Sequence, residues 1–117
     1  MAEKPKELED RTALFAEQVR DFVRKLPRTV SNIEDVKQLV RSSGSVAANC
    51  IEADEALGRQ DRLMRFRICR KEAKESGYWL KLIDTGGDPE SEGERQDLKR
   101  EAAELTSIFG SILSKTS

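Results

Sequence analysis

The sequence predicts an all-α protein, an antiparallel up-down-up-down four-helix bundle. Three observations carry that reading. Four segments repeat their apolar residues at alternating spacings of three and four, as a helix does when one face turns to a core. Helix breakers separate these segments by joints short enough to make consecutive helices antiparallel neighbours. No stretch rich in β-branched and aromatic residues competes with them. The 117 residues favour one domain, spanning 1–117, with fraying expected at 1–6 and 114–117.

The first helix is expected over about 7–26. Leu8, Thr12, Phe15, Val19, Phe22 and Leu26 form its seam, Ala16 and Val23 widen it, and Pro27 stops it. The second is expected over about 32–56. Ser31 has the capping position and Glu34 the capping-box spacing. Val36, Val40, Ser43, Ala47 and Cys50 continue the pattern, flanked by Ile33, Leu39, Val46 and Ile51, and Gly58 breaks it.

The third helix starts near Asp61, a capping residue type, and its seam is Phe66, Cys69, Ala73, Ser76, Leu80 and Ile83. Leu63, Trp79 and Leu82 broaden that face. The run DTGGDP, residues 84–89, is a helix-to-helix turn: two glycines suit positive φ and Pro89 can open a helix. The fourth helix begins with Glu90, Glu92 and Glu94, which oppose the positive end of the helix dipole. Leu98, Ala102, Leu105, Phe109 and Ile112 form its seam, with Gly110 weakening the last turns.

Composition narrows the function. The chain is 37% hydrophobic and 37% charged, which suits amphipathic helices whose apolar surface is completed by partners. No apolar run is long enough for a membrane span, and the N-terminus lacks the apolar stretch of a secretory signal, so a cytoplasmic location is expected. There is no histidine, the commonest general base and metal ligand. Cys50 and Cys69 sit on apolar faces and form no metal or redox motif. No catalytic, cofactor-binding or metal-ligating set is assigned.

The run RSSGSVAANCIEAD, residues 41–54, thins the second helix with small residues, so the backbone of a neighbour can come close there. Ala47 and Ala48 are expected in that contact. Arg41, Ser45, Asn49 and Glu52, at spacings of four, four and three, form a polar strip beside it. Glu72 and Glu75 on the third helix are the candidates to complete a polar network with it. Solvent exposure with ordinary helical side-chain pairing is the other reading of the same residues.

These residues also carry a resemblance. QLVRSSGSVAANCIEADEA (38–56) and FRICRKEAKESGYWLKLI (66–83) resemble the small four-helix bundle proteins first associated with intervening sequences of bacterial 23S ribosomal RNA. The anchors are Arg41, Ser45, Asn49, Glu52, Glu72, Glu75, Tyr78, Trp79 and Leu80. Ala53 stands where the family often has Gly, which should prolong the second helix. The chain is more distantly similar to the accessory variability determinant proteins of retroelements. The resemblance implies one bundle per subunit, assembly into rings of five and an unsettled biological role. A related bundle protein assists a reverse transcriptase and binds nucleic acid through a basic surface.

Residues 59–74, RQDRLMRFRICRKEAK, hold seven basic and two acidic residues. Arg67, Lys71, Lys74, Tyr78 and Lys81 share one helix face, and Arg62 and Arg70 extend its edge. Such a stripe can meet the phosphates of RNA or DNA, with Tyr78 stacking on a base. It can equally be a solvated face, with Tyr78 and Trp79 anchoring a protein interface. Leu39, Val46, Trp79 and Leu82 are the candidate interface residues, because they exceed what four narrow seams need. The reading is therefore a non-catalytic, homo-oligomeric binding or scaffold protein, with self-association as its main contact. A nucleic-acid-binding accessory protein is the alternative, a further protein partner is open, and an enzyme comes last.

Overall fold

A computed structural model describes residues 5–116. Four helices follow in order: α1 (Pro5–Val23), α2 (Val30–Asp54), α3 (Arg59–Leu82) and α4 (Pro89–Thr116). Each helix packs on its chain neighbours, and α4 closes against α1, while the backbones of the diagonal pairs stay apart. This is the antiparallel four-helix bundle. Of the expected frayed ends, residues 1–4 and 117 lie outside the described residues, and α4 is described through Thr116.

The core is the set of seams. Leu8, Thr12, Phe15, Val19, Phe22 and Leu26 are all buried, although α1 itself ends at Val23 and Leu26 reaches the core from the turn beyond it. Leu98, Ala102, Leu105 and Phe109 are buried from α4, with Ile112 half-buried. Phe66 and Phe109 stack at a tilt, with ring centroids 6.0 Å apart, and join α3 to α4.

In α2 the buried set is Asn32, Leu39, Ser42, Ser43, Val46, Cys50 and Ala53. Val36, Val40 and Ala47, expected on the seam, are only half-buried, and Ala48 is exposed. The buried face is turned toward α3, the neighbour that α2 contacts most extensively. The close approach expected from the small residues exists, but other residues make it. Ser42 Oγ lies 2.8 Å from Ser76 Oγ, and Cys69 Sγ donates to the Val46 carbonyl at 3.6 Å. Gly44 faces α1 instead, where an added Cβ would sit 3.3 Å from the Arg20 guanidinium.

The helix starts also differ from expectation. Thr29, not Ser31, caps α2, its hydroxyl accepting from the Asn32 amide at 3.1 Å. α3 begins at Arg59 behind Gly58, which offers no side-chain cap, so Asp61 lies inside the first turn. At α4, Asp88 accepts from the Ser91 amide at 2.9 Å, which holds its carboxyl below the usual range, and Pro89 follows as the first helical residue.

Asn32 ties the two loops at one end of the bundle together. Its Nδ2 donates to the Pro27 carbonyl at 2.9 Å and to the Asp84 carbonyl at 2.8 Å. Its Oδ1 accepts from the Asp84 amide at 3.0 Å, and the residue is 1% exposed. Gly86 and Gly87 turn the second loop with φ of 72° and 79°. A Cβ on Gly86 would lie 3.0 Å from Pro27 Cγ, so the two loops also touch through a residue that must stay small.

A second clamp holds the same end. Arg95 donates to the carbonyls of Lys81 (3.2 Å) and Ile83, closing the C-terminus of α3 with a cation. Glu92 receives Arg95, Thr85 Oγ1 (3.1 Å) and Gln96 Nε2 (3.0 Å). The hydrogen bond from Arg95, then that from Gln96, holds the Glu92 carboxyl down at about 2.

Two outcomes follow from this end of the molecule. Asn32→Ala strands three backbone groups, and leaving buried groups unpaired costs about 1–3 kcal/mol each before relaxation and water entry. Urea unfolding should show a loss of at least about 2 kcal/mol, with the helical spectrum of the folded state unchanged. The Glu92 contribution has a definite sign. A carboxyl depressed when folded stabilises above its unfolded pKa, near 4.5, and that stability is lost as pH falls toward about 2. Acid titration should therefore destabilise the parent protein more steeply between these values than Glu92→Gln, measured by thermal melts at each pH.

Candidate interaction faces

Three surfaces on the α2–α3–α4 side gather the singled-out residues. The first is the polar strip between α2 and α3. Asn49 Nδ2 donates to the Ser45 carbonyl at 2.9 Å and to Ser45 Oγ at 3.1 Å, and its Oδ1 accepts from Arg65 at 3.2 Å. Arg65 also reaches Glu52 at 4.0 Å and Asp61 at 3.8 Å. Arg65 is thus the hub between the two helices, and the sequence reading missed it. Its signal was the spacing of four from Asp61, which the basic run obscured.

Arg41 and Glu72 form a separate part of the strip. Arg41 Nη1 stands 3.9 Å from Glu72 Oε2, too far for a hydrogen bond. Glu72 is nevertheless buried, its side chain 8% exposed, and its Oε1 has no hydrogen-bond partner among the described residues. Glu75, one turn further along, is half-buried. The six polar candidates therefore do not make one network. Asn49, Ser45 and Glu52 join through Arg65, Arg41 and Glu72 pair loosely, and Glu75 stands beside them.

The second surface is a second apolar face on α3. Core residues such as Phe66, Cys69, Ala73 and Leu80 occupy one side of the helix. Met64, Ile68, Lys71, Glu75, Trp79 and Leu82, at spacings of four, three, four, four and three, follow another side, apolar toward its two ends and charged at its middle. Met64 is 52% and Leu82 44% exposed, while Ile68 and Trp79 are half-buried. Trp79 packs on the core edge and meets Tyr78 edge-on at 5.0 Å, and its indole N–H has no acceptor among the described residues. Leu39 and Val46 do not belong here. Both are fully buried in the protomer core, because α2 turns that side to α3, so they cannot form a subunit interface.

The third surface divides the basic stripe. Arg67, Lys71 and Lys74 line a hollow of about 450 Å³ between α3 and α4, together with Arg70, Thr106 and Gly110. Tyr78 is 54% exposed and stands one turn beyond Lys74. Lys81 is exposed but outside the hollow. Arg62 leaves the stripe and lies over the Phe66 ring at 4.9 Å.

Burial pushes the Cys69 thiol up to about 12, with the neighbouring Cys50 adding to it, so it is a thiol and not a nucleophilic thiolate near neutrality. Among the described residues, no group of three or more Cys, Asp or Glu side chains is placed to hold a metal ion, and no helix is long and apolar enough to cross a membrane.

No protein-family model matches the chain, and no curated protein matches it. Among solved structures it is similar to a protein of unknown function from the S23 ribosomal protein family of Bacteroides thetaiotaomicron. The two share 26% identity at a TM-score of 0.78, over 96% of this chain and 99% of the other. The likeness therefore spans the whole bundle and not a shared hairpin.

The loosely paired Glu72 carboxylate yields a stability test. A buried charge with a distant partner is disfavoured by desolvation more than it gains from attraction. Glu72→Gln should raise the unfolding free energy of the protomer by about 1 kcal/mol in urea at neutral pH. A loss of that size would instead show that Arg41 holds the charge effectively.

Proposed function

We propose that this chain is a non-catalytic binding or scaffold protein that works as a homo-oligomer, akin to the bundle proteins associated with 23S ribosomal RNA intervening sequences. One observation carries the reading: α3 has a second apolar face, formed by Met64, Ile68, Trp79 and Leu82, that its own bundle leaves open. Met64 and Leu82 lie outside the core cluster, while Trp79 packs against its edge and presents the rest of its ring outward. Aromatic and Met side chains are enriched in protein interfaces, and here they stand on either side of the charged Lys71 and Glu75. The polar rim is the strip of Arg41, Ser45, Asn49 and Glu52 on the adjoining helix.

Energetics favour a ring over a simple pair. Burying one large apolar side chain contributes about 1.5–3 kcal/mol. Association itself costs about 4–15 kcal/mol. A narrow stripe offsets that cost poorly in a single contact. In a closed ring each subunit makes two heterologous contacts, one through the stripe and one through a different surface, so more area holds each chain than the stripe alone supplies. The resemblance favours five subunits, and the structural neighbour, itself of unknown function, lends the fold without a reaction. The cytoplasmic setting belongs to the same proposal.

Sedimentation velocity across a broad concentration range tests it. The parent should sediment as a multiple of the 13.2 kDa chain. Met64→Lys combined with Leu82→Lys should give the monomer with its helicity intact, since both side chains are exposed in the protomer. A parent protein that stays monomeric throughout would sink the assembly.

A further inference from the structure

We infer that the groove between α3 and α4 is a binding site for the phosphates of a single-stranded nucleic acid. The inference goes beyond self-assembly, because it concerns a different surface. Arg67, Arg70, Lys71 and Lys74 all face this groove, all are exposed, and none forms an ion pair among the described residues. Other cations, such as Arg28, Arg59 and Lys99, also have no ion pair among the described residues, but these four are gathered along one hollow. Arg11, Arg24, Lys25, Lys37, Arg65, Arg95 and Arg100 each lie within 4.0 Å of a carboxylate.

The opposite wall explains why the cations stay unpaired. α4 contributes Thr106 and Gly110, then Leu113 and Ser114 where the hollow continues past Leu63. No carboxylate lines either part. The α4 acids point elsewhere: Glu101 and Glu104 hold Arg11 of α1, and Glu94 holds Lys25. Gly110 keeps the wall low, so the Arg70 stem passes 3.8 Å from where a Cβ would be. The walls are thus cations on one side and small or hydroxyl-bearing groups on the other.

Spacing and shape indicate the ligand. Residues 67 to 74 cover about 10 Å of helix. One strand presents roughly three phosphates over that length at the duplex rise of about 3.4 Å each. A lone small anion would leave much of the row unused. Tyr78 lies one turn further on with its ring more than half exposed, where a base freed from pairing can stack. Duplexes keep their base faces covered, so this ring favours a single strand.

Fluorescence polarisation with a labelled single-stranded RNA of mixed sequence tests the site. The parent should bind at low salt, with log affinity falling against log salt at a slope of about −2 for three neutralised phosphates. Replacing Arg67, Arg70, Lys71 and Lys74 by Gln should weaken binding by roughly tenfold or more and flatten that slope, with sedimenting mass and helicity unchanged. The control replaces Arg24, Arg28, Lys37 and Arg100 by Gln, the same charge change on other faces, and should bind like the parent. Tyr78→Ser should weaken the single strand while leaving its salt slope intact. Four outcomes would overturn the inference: no binding at low salt, equal losses in both quadruple variants, a paired duplex of the same length bound as tightly, or tripolyphosphate displacing the strand at matched phosphate concentration. Because mass is read alongside affinity, loss of assembly and loss of strand binding remain distinguishable.

Discussion

The three hydrogen bonds of Asn32 are the constraint on which the rest of the bundle depends. Through them the start of α2 is fixed to the end of α3, and both to the loop that leaves α1. Two antiparallel helices rise equally per residue, so fixing one pair fixes all the pairs below it. From Asn32 beside Asp84, the contacts run to Ser42 with Ser76, Val46 with Cys69, and Asn49 with Arg65. From Asn32 to Asn49 on α2 the partners run back from Asp84 to Arg65, a nearly equal length of chain. A buried amide is costly unless fully satisfied, and here that cost enforces a register that a greasy contact would leave free to slide.

Register in turn decides which sides of α3 are left over. Once Ser76, Cys69 and Arg65 meet α2, and Arg70 and Gly77 meet α4, the remaining surface divides into the apolar face and the basic groove. The net charge of −1 conceals this division. Acidic side chains of α4 are drawn to α1, where Arg11 grips Glu101 with two hydrogen bonds of 2.8 Å, and the flank toward α3 is left without them. Segregating charge between seams gives a nearly neutral chain a strongly positive concave surface.

Legibility in the sequence followed the range of the interactions. The seams of α1 and α4 could be read because a core side chain declares itself through local periodicity. The α2 seam was read out of phase: small residues count as apolar on every side, and only α3 shows which side is inward. For the same reason Leu39 and Val46 looked surplus although they are core. The α2 cap was misplaced by two residues because Thr29, Ser31 and Asn32 are all capping types within four positions. Asn32 could not be recognised at all, since its decisive partner is 52 residues away. The basic row on α3 was visible, but its enclosure by Thr106 and Gly110, and the departure of Arg62 to Phe66, depend on tertiary neighbours.

The two ends of the bundle also differ in what they can accept. At one end Gly86 is pressed against Pro27, and Asn32 holds both loops, so an inserted residue or attached tag would pull the helices out of step. At the other end residues 55–58 simply turn, and Leu57 is wholly exposed. Loop closure penalises added length only slowly there. That tip is where the protein can lengthen, diversify or carry a fluorescent label, and a dye at position 57 would sit at the opposite end from the joint that sets the register of the bundle.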